Sequence, residues 1–141
     1  MRILVTGAAG FLGGRTAADL ARRGHSVVTT DRRGSVAFVG DLADPVFTAR
    51  LPDVDAVVHA AGVQYISPDL PVFARGPWFD RNNILATSCL VDRYRRTEAH
   101  FVYVSTSMTY AQNGAVCGPG TPREAQGPYS DSKLRAESLT K

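Results

Sequence analysis

The sequence predicts an α/β fold in which helices cover both faces of a doubly wound parallel sheet of five strands. Three observations support this prediction. Short β-branched or apolar runs alternate along the chain with segments of helical periodicity. The predicted strands are almost continuously apolar, as in parallel sheets that are buried on both faces. The 141 residues suffice for one domain, in which right-handed crossovers would place a ligand site at the carboxyl ends of the strands.

Local sequence signals set the limits of each element. The first apolar strand starts almost at the N-terminus and is broken by Gly7 to Gly10, and Gly24 is a natural C-cap for the helix that follows. Asp44-Pro45 is typical of a helix N-cap followed by proline at the first helical position. The predicted strands cover residues 2–6, 25–30, 36–39, 55–60 and 99–104. The predicted helices cover residues 11–23, 45–51, 79–96 and 128–141, with long loops at 63–78 and 111–128.

Composition and charge exclude several classes of function. The net charge is +3, and the arginines lie in short scattered clusters, so a nucleic-acid partner is not expected. No stretch approaches the roughly 18 apolar residues of a membrane span, and no signal peptide is visible, so a membrane partner is not expected either. Two cysteines without metal spacing and three scattered histidines predict no metal site. The cysteine usage indicates a reduced, cytoplasmic protein.

A glycine-rich turn follows the first strand. Gly7, Gly10 and Gly13 have the spacing G-x-x-G-x-x-G and are followed by a helix. Such glycines permit a tight turn, close approach of a pyrophosphate and close packing of the helix on the strand, while the helix N-terminus attracts the phosphates. Asp31 lies 18 residues after Gly13 at the end of the second strand, where a carboxylate accepts hydrogen bonds from a ribose diol.

The same region leaves the choice between two dinucleotides open. The carboxylate of Asp31 favours NAD because it repels a 2′-phosphate. Arg32 and Arg33 follow directly and could instead pair with that phosphate, so NADP remains the alternative.

A second pair of residues indicates proton transfer. Tyr129 and Lys133 are four residues apart on a predicted helix and therefore share a face. A tyrosine ionises near pH 10, and a lysine cation close by would lower that pKa. A phenol tuned in this way can exchange a proton with a substrate oxygen while hydride passes to nicotinamide.

Taken together, these motifs resemble the extended branch of the short-chain dehydrogenase/reductase superfamily, the NAD-dependent epimerase/dehydratase family with its Rossmann domain. The resemblance covers almost the whole chain and is carried by residues 6–13, 31–32, 40–42, 59–62, 83, 87, 102–107 and 128–133.

The resemblance implies a role for each motif. Tyr129 would be the general acid/base, Lys133 would bind the nicotinamide ribose, Thr106 would orient the substrate oxygen, and Asn83 would support the Lys. The catalytic residues are thus expected to be Thr106, Tyr129, Lys133 and Asn83. The expected cofactor-binding residues are Gly7, Gly10, Phe11, Leu12, Gly13, Asp31, Arg32, Asp41, Leu42, Ala60, Ala61, Gly62, Ser105, Tyr129 and Lys133.

Two departures from the family pattern narrow the expected chemistry. The residue after Tyr110 is Ala111 where the family usually has glycine, which would shift the loop slightly. Family members that dehydrate sugars carry Asp-Glu directly after the catalytic Thr, where this chain has Ser107-Met108. The expected activity is therefore that of an NAD(P)-dependent oxidoreductase or epimerase acting on a hydroxyl or keto group of a small molecule, with nucleotide sugars as candidates. The alternatives are a regulatory or sensor domain that binds NAD(P) without turnover and an inactive fragment.

The length itself leads to a further expectation. The chain runs from the first strand of the motif to eight residues past Lys133, whereas extended family members continue for about as long again. Residues 1–141 are thus expected to be the Rossmann part of a longer enzyme that forms a homodimer, without its C-terminal substrate lobe. We expect Lys141 to end in the middle of an element, beside an uncovered apolar face.

Overall fold

The computed structural model describes residues 1–111, 114 and 116–141. The strands are β1 (Arg2–Thr6), β2 (Ser26–Asp31), β3 (Phe38–Val39), β4 (Ala56–His59) and β5 (His100–Tyr103). The helices are α1 (Phe11–Arg22), α2 (Pro45–Ala49), α3 (Arg75–Phe79), α4 (Ala86–Tyr94) and α5 (Pro128–Leu139). A π-helical segment (Asp80–Leu85) joins α3 to α4, and a 3-10 turn (Ser107–Thr109) follows β5.

The five strands form one parallel sheet in the order β3-β2-β1-β4-β5. The chain moves outward from β1 in one direction and then returns to pair β4 with the other side of β1. In doubly wound sheets the crevice for a ligand lies at this reversal, beyond the carboxyl ends of the two central strands. Thr6 and His59 are paired at this end of β1 and β4.

The core lies on both faces of the sheet because successive side chains of β1 point in opposite directions. Leu4 packs in the larger cluster, which includes Leu51, Val57, Leu90 and Tyr94. The smaller cluster, on the other face, contains Ile3, Val5 and Ala56, with Ala17 and Leu20 of α1 against it. Truncating a fully buried leucine to alanine in such a core costs about 2–5 kcal/mol. The predicted five-stranded doubly wound sheet is confirmed.

One helix differs from its predicted limits. The helix predicted to begin at residue 79 begins at Arg75, so the preceding loop ends at Ala74, whose φ of 56° is left-handed. Pro77 is tolerated there because an N–H in the first turn of a helix has no partner within that helix. The composition of residues 75–78 therefore indicated a loop, while the chain forms the first turn of a helix. β3 is likewise shorter than predicted, with two paired residues.

The last helix also differs from expectation. α5 ends at Leu139 with Thr140 as its C-cap, so the prediction that Lys141 lies inside an element is wrong. The expected uncovered apolar side chains are present, since Leu85 is 46% and Leu139 38% exposed beside a shallow groove, and Val102 of β5 is 52% exposed. Residues 112, 113 and 115 of the predicted loop 111–128 lie outside the described residues. Along the described part of the chain, no helix combines the length and apolar character needed to cross a membrane.

Candidate functional site

The glycine-rich turn has the close contacts that its sequence predicts. Gly7 has a φ of +68°, and a Cβ there would lie 2.8 Å from the backbone of Ala61. A Cβ on Gly13 would lie 2.2 Å from the carbonyl oxygen of Gly7, so only glycine lets α1 approach the turn this closely. α1 begins after Gly10 without a side-chain cap among the described residues. Its first N–H groups can therefore bind an anion.

Asp31 lies beside this turn at the end of β2. Its carboxylate accepts hydrogen bonds from the backbone N–H groups of Ala9 (3.0 Å) and Arg32 (2.7 Å). These bonds hold the negative charge at the mouth of the turn, where a ribose diol could bind to it.

Two arginine contacts connect the carboxyl ends of β2 and β3 to the π-helical segment. Nη1 of Arg32 donates to Oδ1 of Asn82 over 2.9 Å. Arg81 forms an ion pair of 2.8 Å with Asp41. Burial disfavours the Asp41 carboxylate, but the hydrogen bond from the Ala43 N–H and the Arg81 cation outweigh burial and lower the pKa of Asp41. The carboxylate is therefore charged at neutral pH.

All predicted cofactor-binding residues line one cleft of about 530 Å³. They are Gly7, Gly10, Phe11, Leu12, Gly13, Asp31, Arg32, Asp41, Leu42, Ala60, Ala61, Gly62, Ser105, Tyr129 and Lys133. Thr106 and Asn83, the other two predicted catalytic residues, are not among the residues that line it. The cleft thus joins the glycine-rich turn at one end to the Tyr–Lys pair at the other.

A buried hydrogen-bond network supports the wall of the cleft between β1 and β4. The Thr87 hydroxyl donates to the carbonyl oxygen of Asn83 (2.6 Å), so its oxygen accepts from Nε2 of His59 (3.0 Å). Nδ1 of His59 is then the acceptor for the Thr6 hydroxyl (2.7 Å), whose oxygen accepts from the N–H of Ala61 (3.0 Å). The donors and acceptors are all matched when His59 is neutral with its proton on Nε2. Burial, with a smaller effect of the Lys133 cation, lowers the pKa of His59 to about 3.

Asn83 connects the loop after β4 to α5. The side chain is 2% exposed; its Oδ1 accepts from the N–H of Val63 (2.9 Å), and its Nδ2 donates to the Val63 carbonyl (3.2 Å) and to Oγ of Ser132 (2.9 Å). The Ser132 hydroxyl donates in turn to the carbonyl oxygen of Tyr129 (2.7 Å). Asn83 therefore positions the helix that carries Tyr129, although it does not itself line the cleft.

Tyr129 is half-buried and lies beside the aromatic rings of Tyr65 and Phe79, with centroid distances of 5.8 and 5.6 Å. Burial raises the pKa of its phenol, and the hydrogen bond with Thr106 opposes that effect only in part. We expected the Lys133 cation to lower this pKa, and the structure shows a net shift in the opposite direction. The expectation fails because burial of the phenol raises its pKa by more than the contact with Thr106 lowers it.

Two contacts hold the side chain of Lys133 in place. Its Nζ donates to the carbonyl oxygen of Val104 (2.7 Å) and lies 4.2 Å from the centroid of the Tyr103 ring. Burial lowers the pKa of Lys133 to about 8, while the Glu137 carboxylate opposes this effect. The ammonium group is therefore held at the end of β5, facing the cleft.

Glu137 is a residue of the site that sequence analysis missed. Its carboxylate accepts from the hydroxyl of Ser105 and forms an ion pair of 2.7 Å with Arg123, whose guanidinium covers the Tyr110 ring at 4.1 Å. Its position four residues after Lys133, on the same helical face, was the available signal. Asp69 and Asn82 line the cleft, which Glu137 does not, and they have no comparable spacing signal. Within the described residues, no three His, Cys, Asp or Glu side chains are grouped so that they could hold a metal ion.

Comparison with known proteins places this geometry in context. A curated UDP-glucose 4-epimerase from Streptococcus mutans is 29% identical over 157 residues, covering 100% of this chain and 46% of that protein. A dTDP-glucose 4,6-dehydratase from Streptomyces antibioticus is 33% identical over 162 residues, covering 99% of this chain and 48% of that protein. The chain therefore spans about half the length of the curated relatives it matches.

The solved structures agree with this relationship. A structure of MoeE5 in complex with UDP-glucose and NAD is 30% identical with a TM-score of 0.85, over 99% of this chain and 48% of that one. A short-chain dehydrogenase/reductase superfamily protein from Agrobacterium tumefaciens with bound NAD is 27% identical, also with a TM-score of 0.85, over 99% of this chain and 44% of that one. The model of the NAD dependent epimerase/dehydratase family matches residues 3–141. By this match, and with the glycine-rich turn and the Tyr–Lys pair in one cleft, the chain belongs to that family.

Proposed function

We propose that the protein containing this chain is an NAD-dependent oxidoreductase or epimerase that acts on a hydroxyl or keto group of a nucleotide sugar. One observation carries the proposal: a single cleft of about 530 Å³ joins the glycine-rich turn to Tyr129 and Lys133. The names of the relatives support the substrate class, since they are enzymes of UDP-glucose and dTDP-glucose.

The residues of the cleft fit a dinucleotide. Close backbone packing at Gly7 and Gly13 fixes the tight turn that leads into α1 and lines the cleft, and Asp31 offers a carboxylate to a ribose. Phe11 and Leu12, in the first turn of α1, would supply N–H groups to the phosphates. Bound NAD would accept hydride from the substrate carbon, or return it. Asp31 favours NAD over NADP because its charge opposes a 2′-phosphate.

Tyr129 would exchange the proton at the substrate oxygen. Its raised pKa keeps the phenol protonated at neutral pH, so it is ready to donate to a keto oxygen. Thr106, which lowers the pKa of the Tyr129 phenol, would fix the direction of that proton, and Lys133 would supply a positive charge in the same cleft as the phenolate forms. Asn83 would keep α5 in register with the loop after β4.

Elimination chemistry is not favoured by the residues that follow Thr106. Ser107 and Met108 form the 3-10 turn after β5 and offer neither a carboxylate nor an imidazole. A dehydratase needs an additional acid and base, whereas epimerisation or simple oxidation needs only the Tyr-assisted transfer.

The experiment measures NAD binding and then turnover on nucleotide sugars, beginning with UDP-glucose and dTDP-glucose. We expect Tyr129→Phe to lower kcat by at least about 100-fold, because a general acid/base contributes about 10²–10⁴-fold. Tyr110→Phe is the matched control, since it removes a phenol hydroxyl that the mechanism does not use, and it should keep its activity. Full activity of Tyr129→Phe would refute the mechanism. NAD binding without turnover across the panel would favour a regulatory or sensor domain.

A further inference from the structure

The side chain of Arg32 reaches across the mouth of the cleft. Its Nη1 donates to Oδ1 of Asn82 over 2.9 Å, and its Nη2 lies 3.5 Å from Oδ2 of Asp69. Asn82 belongs to the π-helical segment, and Asp69 belongs to the loop after β4. We call these two contacts the Arg32 bridge. It directs the guanidinium from the end of β2 towards the opposite wall.

The acceptor on Asn82 is fixed in its orientation. Nδ2 of Asn82 donates to the carbonyl oxygen of Trp78 over 2.8 Å, so the other end of the amide, Oδ1, faces Arg32. Asp69 adds a negative charge on the same side. The guanidinium therefore contacts one neutral and one charged acceptor, and neither of them is the carboxylate of Asp31.

The carboxylate of Asp31 lies at the end of β2, one residue before Arg32. Its oxygens accept from the backbone N–H groups of Ala9 and Arg32 and do not pair with the Arg32 guanidinium. A 2′-phosphate on a ribose bound to Asp31 would meet this carboxylate, and the neighbouring cation is engaged elsewhere. A 2′-hydroxyl would instead donate to the carboxylate.

We propose that Asn82 and Asp69 are specificity-determining residues, because the Arg32 bridge withholds the Arg32 guanidinium from the 2′-phosphate of NADP. The inference rests on the proposed binding of a dinucleotide and deepens it. Arg32 and Arg33 after Asp31 make the sequence ambiguous between NAD and NADP, and the bridge removes Arg32 from that choice in favour of NAD.

The expected effect is modest because the bridge is partly exposed. The side chains of Arg32 and Asp69 are 41% and 49% exposed, and contacts between exposed charges are weak. Releasing Arg32 should therefore lower the ratio of the NADP and NAD dissociation constants by about 3-fold to 10-fold.

The test measures both dissociation constants by isothermal titration calorimetry. The release variant is Asp69→Asn/Asn82→Ala, and Asp69→Asn alone serves if the double variant does not fold. Arg32→Ala is made in the wild type and in the release variant. Asp19→Asn, which removes the carboxylate shared by two exposed ion pairs at the end of α1, away from the cleft lining, is the matched control.

We expect the ratio to fall in the release variant, to return when Arg32→Ala is added, and to stay near the wild-type value for Arg32→Ala alone and for Asp19→Asn. An unchanged ratio in the release variant overturns the inference. So does a lowered ratio that persists after Arg32→Ala, because loss of the Asp69 charge would then explain it. Binding of neither dinucleotide to the wild type contradicts the proposed function itself, whereas tight NAD binding with an unchanged ratio contradicts only the Arg32 bridge.

Discussion

Protonation of His59 should make the stability of this protein fall steeply below neutral pH. The fully buried imidazole is neutral in the folded protein, with a pKa lowered to about 3, and it regains a value near 6.5 when the chain unfolds. Between pH 6.5 and 3 the unfolded chain binds a proton that the folded protein does not bind. Stability therefore rises with pH across this window and is lost as the pH falls through it.

The magnitude follows from the gap between the two pKa values. At about 1.36 kcal/mol for each pH unit, His59 accounts for a loss of about 2 kcal/mol at pH 5.0 relative to pH 7.5, and for about 4 kcal/mol by pH 3. Protonation would also put a hydrogen on Nδ1 of His59. Thr6 Oγ would then have to accept from both Nδ1 and the N–H of Ala61, and the Thr6 hydroxyl hydrogen would lose its acceptor.

Urea unfolding at pH 7.5 and pH 5.0 measures this contribution in the wild type and in His59→Gln, which cannot titrate. The free energy of unfolding should fall by about 2 kcal/mol more in the wild type, since other titrating groups cancel in the comparison. An equal fall in wild type and His59→Gln would refute the reasoning. If His59→Gln does not fold, ¹⁵N NMR of the wild-type ring decides, because titration near pH 6.5 or a proton on Nδ1 contradicts the assigned network.

Two further predictions concern the backbone of the cleft. Gly13→Ala would bring a Cβ within 2.2 Å of the Gly7 carbonyl oxygen, so it should lower the melting temperature and abolish measurable NAD binding, whereas Gly76→Ala, with no atom within 4 Å of the added Cβ, should do neither. Asn83→Ala leaves the buried N–H and C=O of Val63 without side-chain partners and should cost about 2–4 kcal/mol in urea unfolding, with a fall in kcat. Wild-type stability of Asn83→Ala would contradict the positioning role.

Sequence analysis predicted the parts of the site that are built from residues close together in the sequence. Gly7, Gly10 and Gly13 lie within one strand–turn–helix unit, and a glycine is required wherever a Cβ would collide with neighbouring backbone. The end of β2 was equally visible, because a run of β-branched residues stops at Asp31. Parallel pairing then brings the ends of β1, β2 and β4 to the same edge of the sheet.

The remaining features depend on contacts between residues far apart in sequence. Asn82 and Asp69 are 50 and 37 residues from Arg32, so no local pattern predicts that they bind it. The protonation of Tyr129 also escaped prediction, because it depends on how deeply Phe79 and Tyr65 bury the ring. Helical spacing placed Lys133 on the right face but could not show that its ammonium group reaches the Val104 carbonyl.

The site depends on how many residues the π-helical segment contains, as well as on which side chains they carry. Arg81, Asn82 and Asn83 are consecutive, yet they contact Asp41, Arg32 and Val63 on three different elements around the cleft. Hydrogen bonds in a π-helix span five residues instead of four, so this segment holds about one residue more than an α-helical turn would, and deleting one residue of Asp80–Leu85 would let it close as an α-helix. Three consecutive side chains would then no longer reach Asp41, Arg32 and Val63 together, and an intact set of catalytic side chains would lose its support.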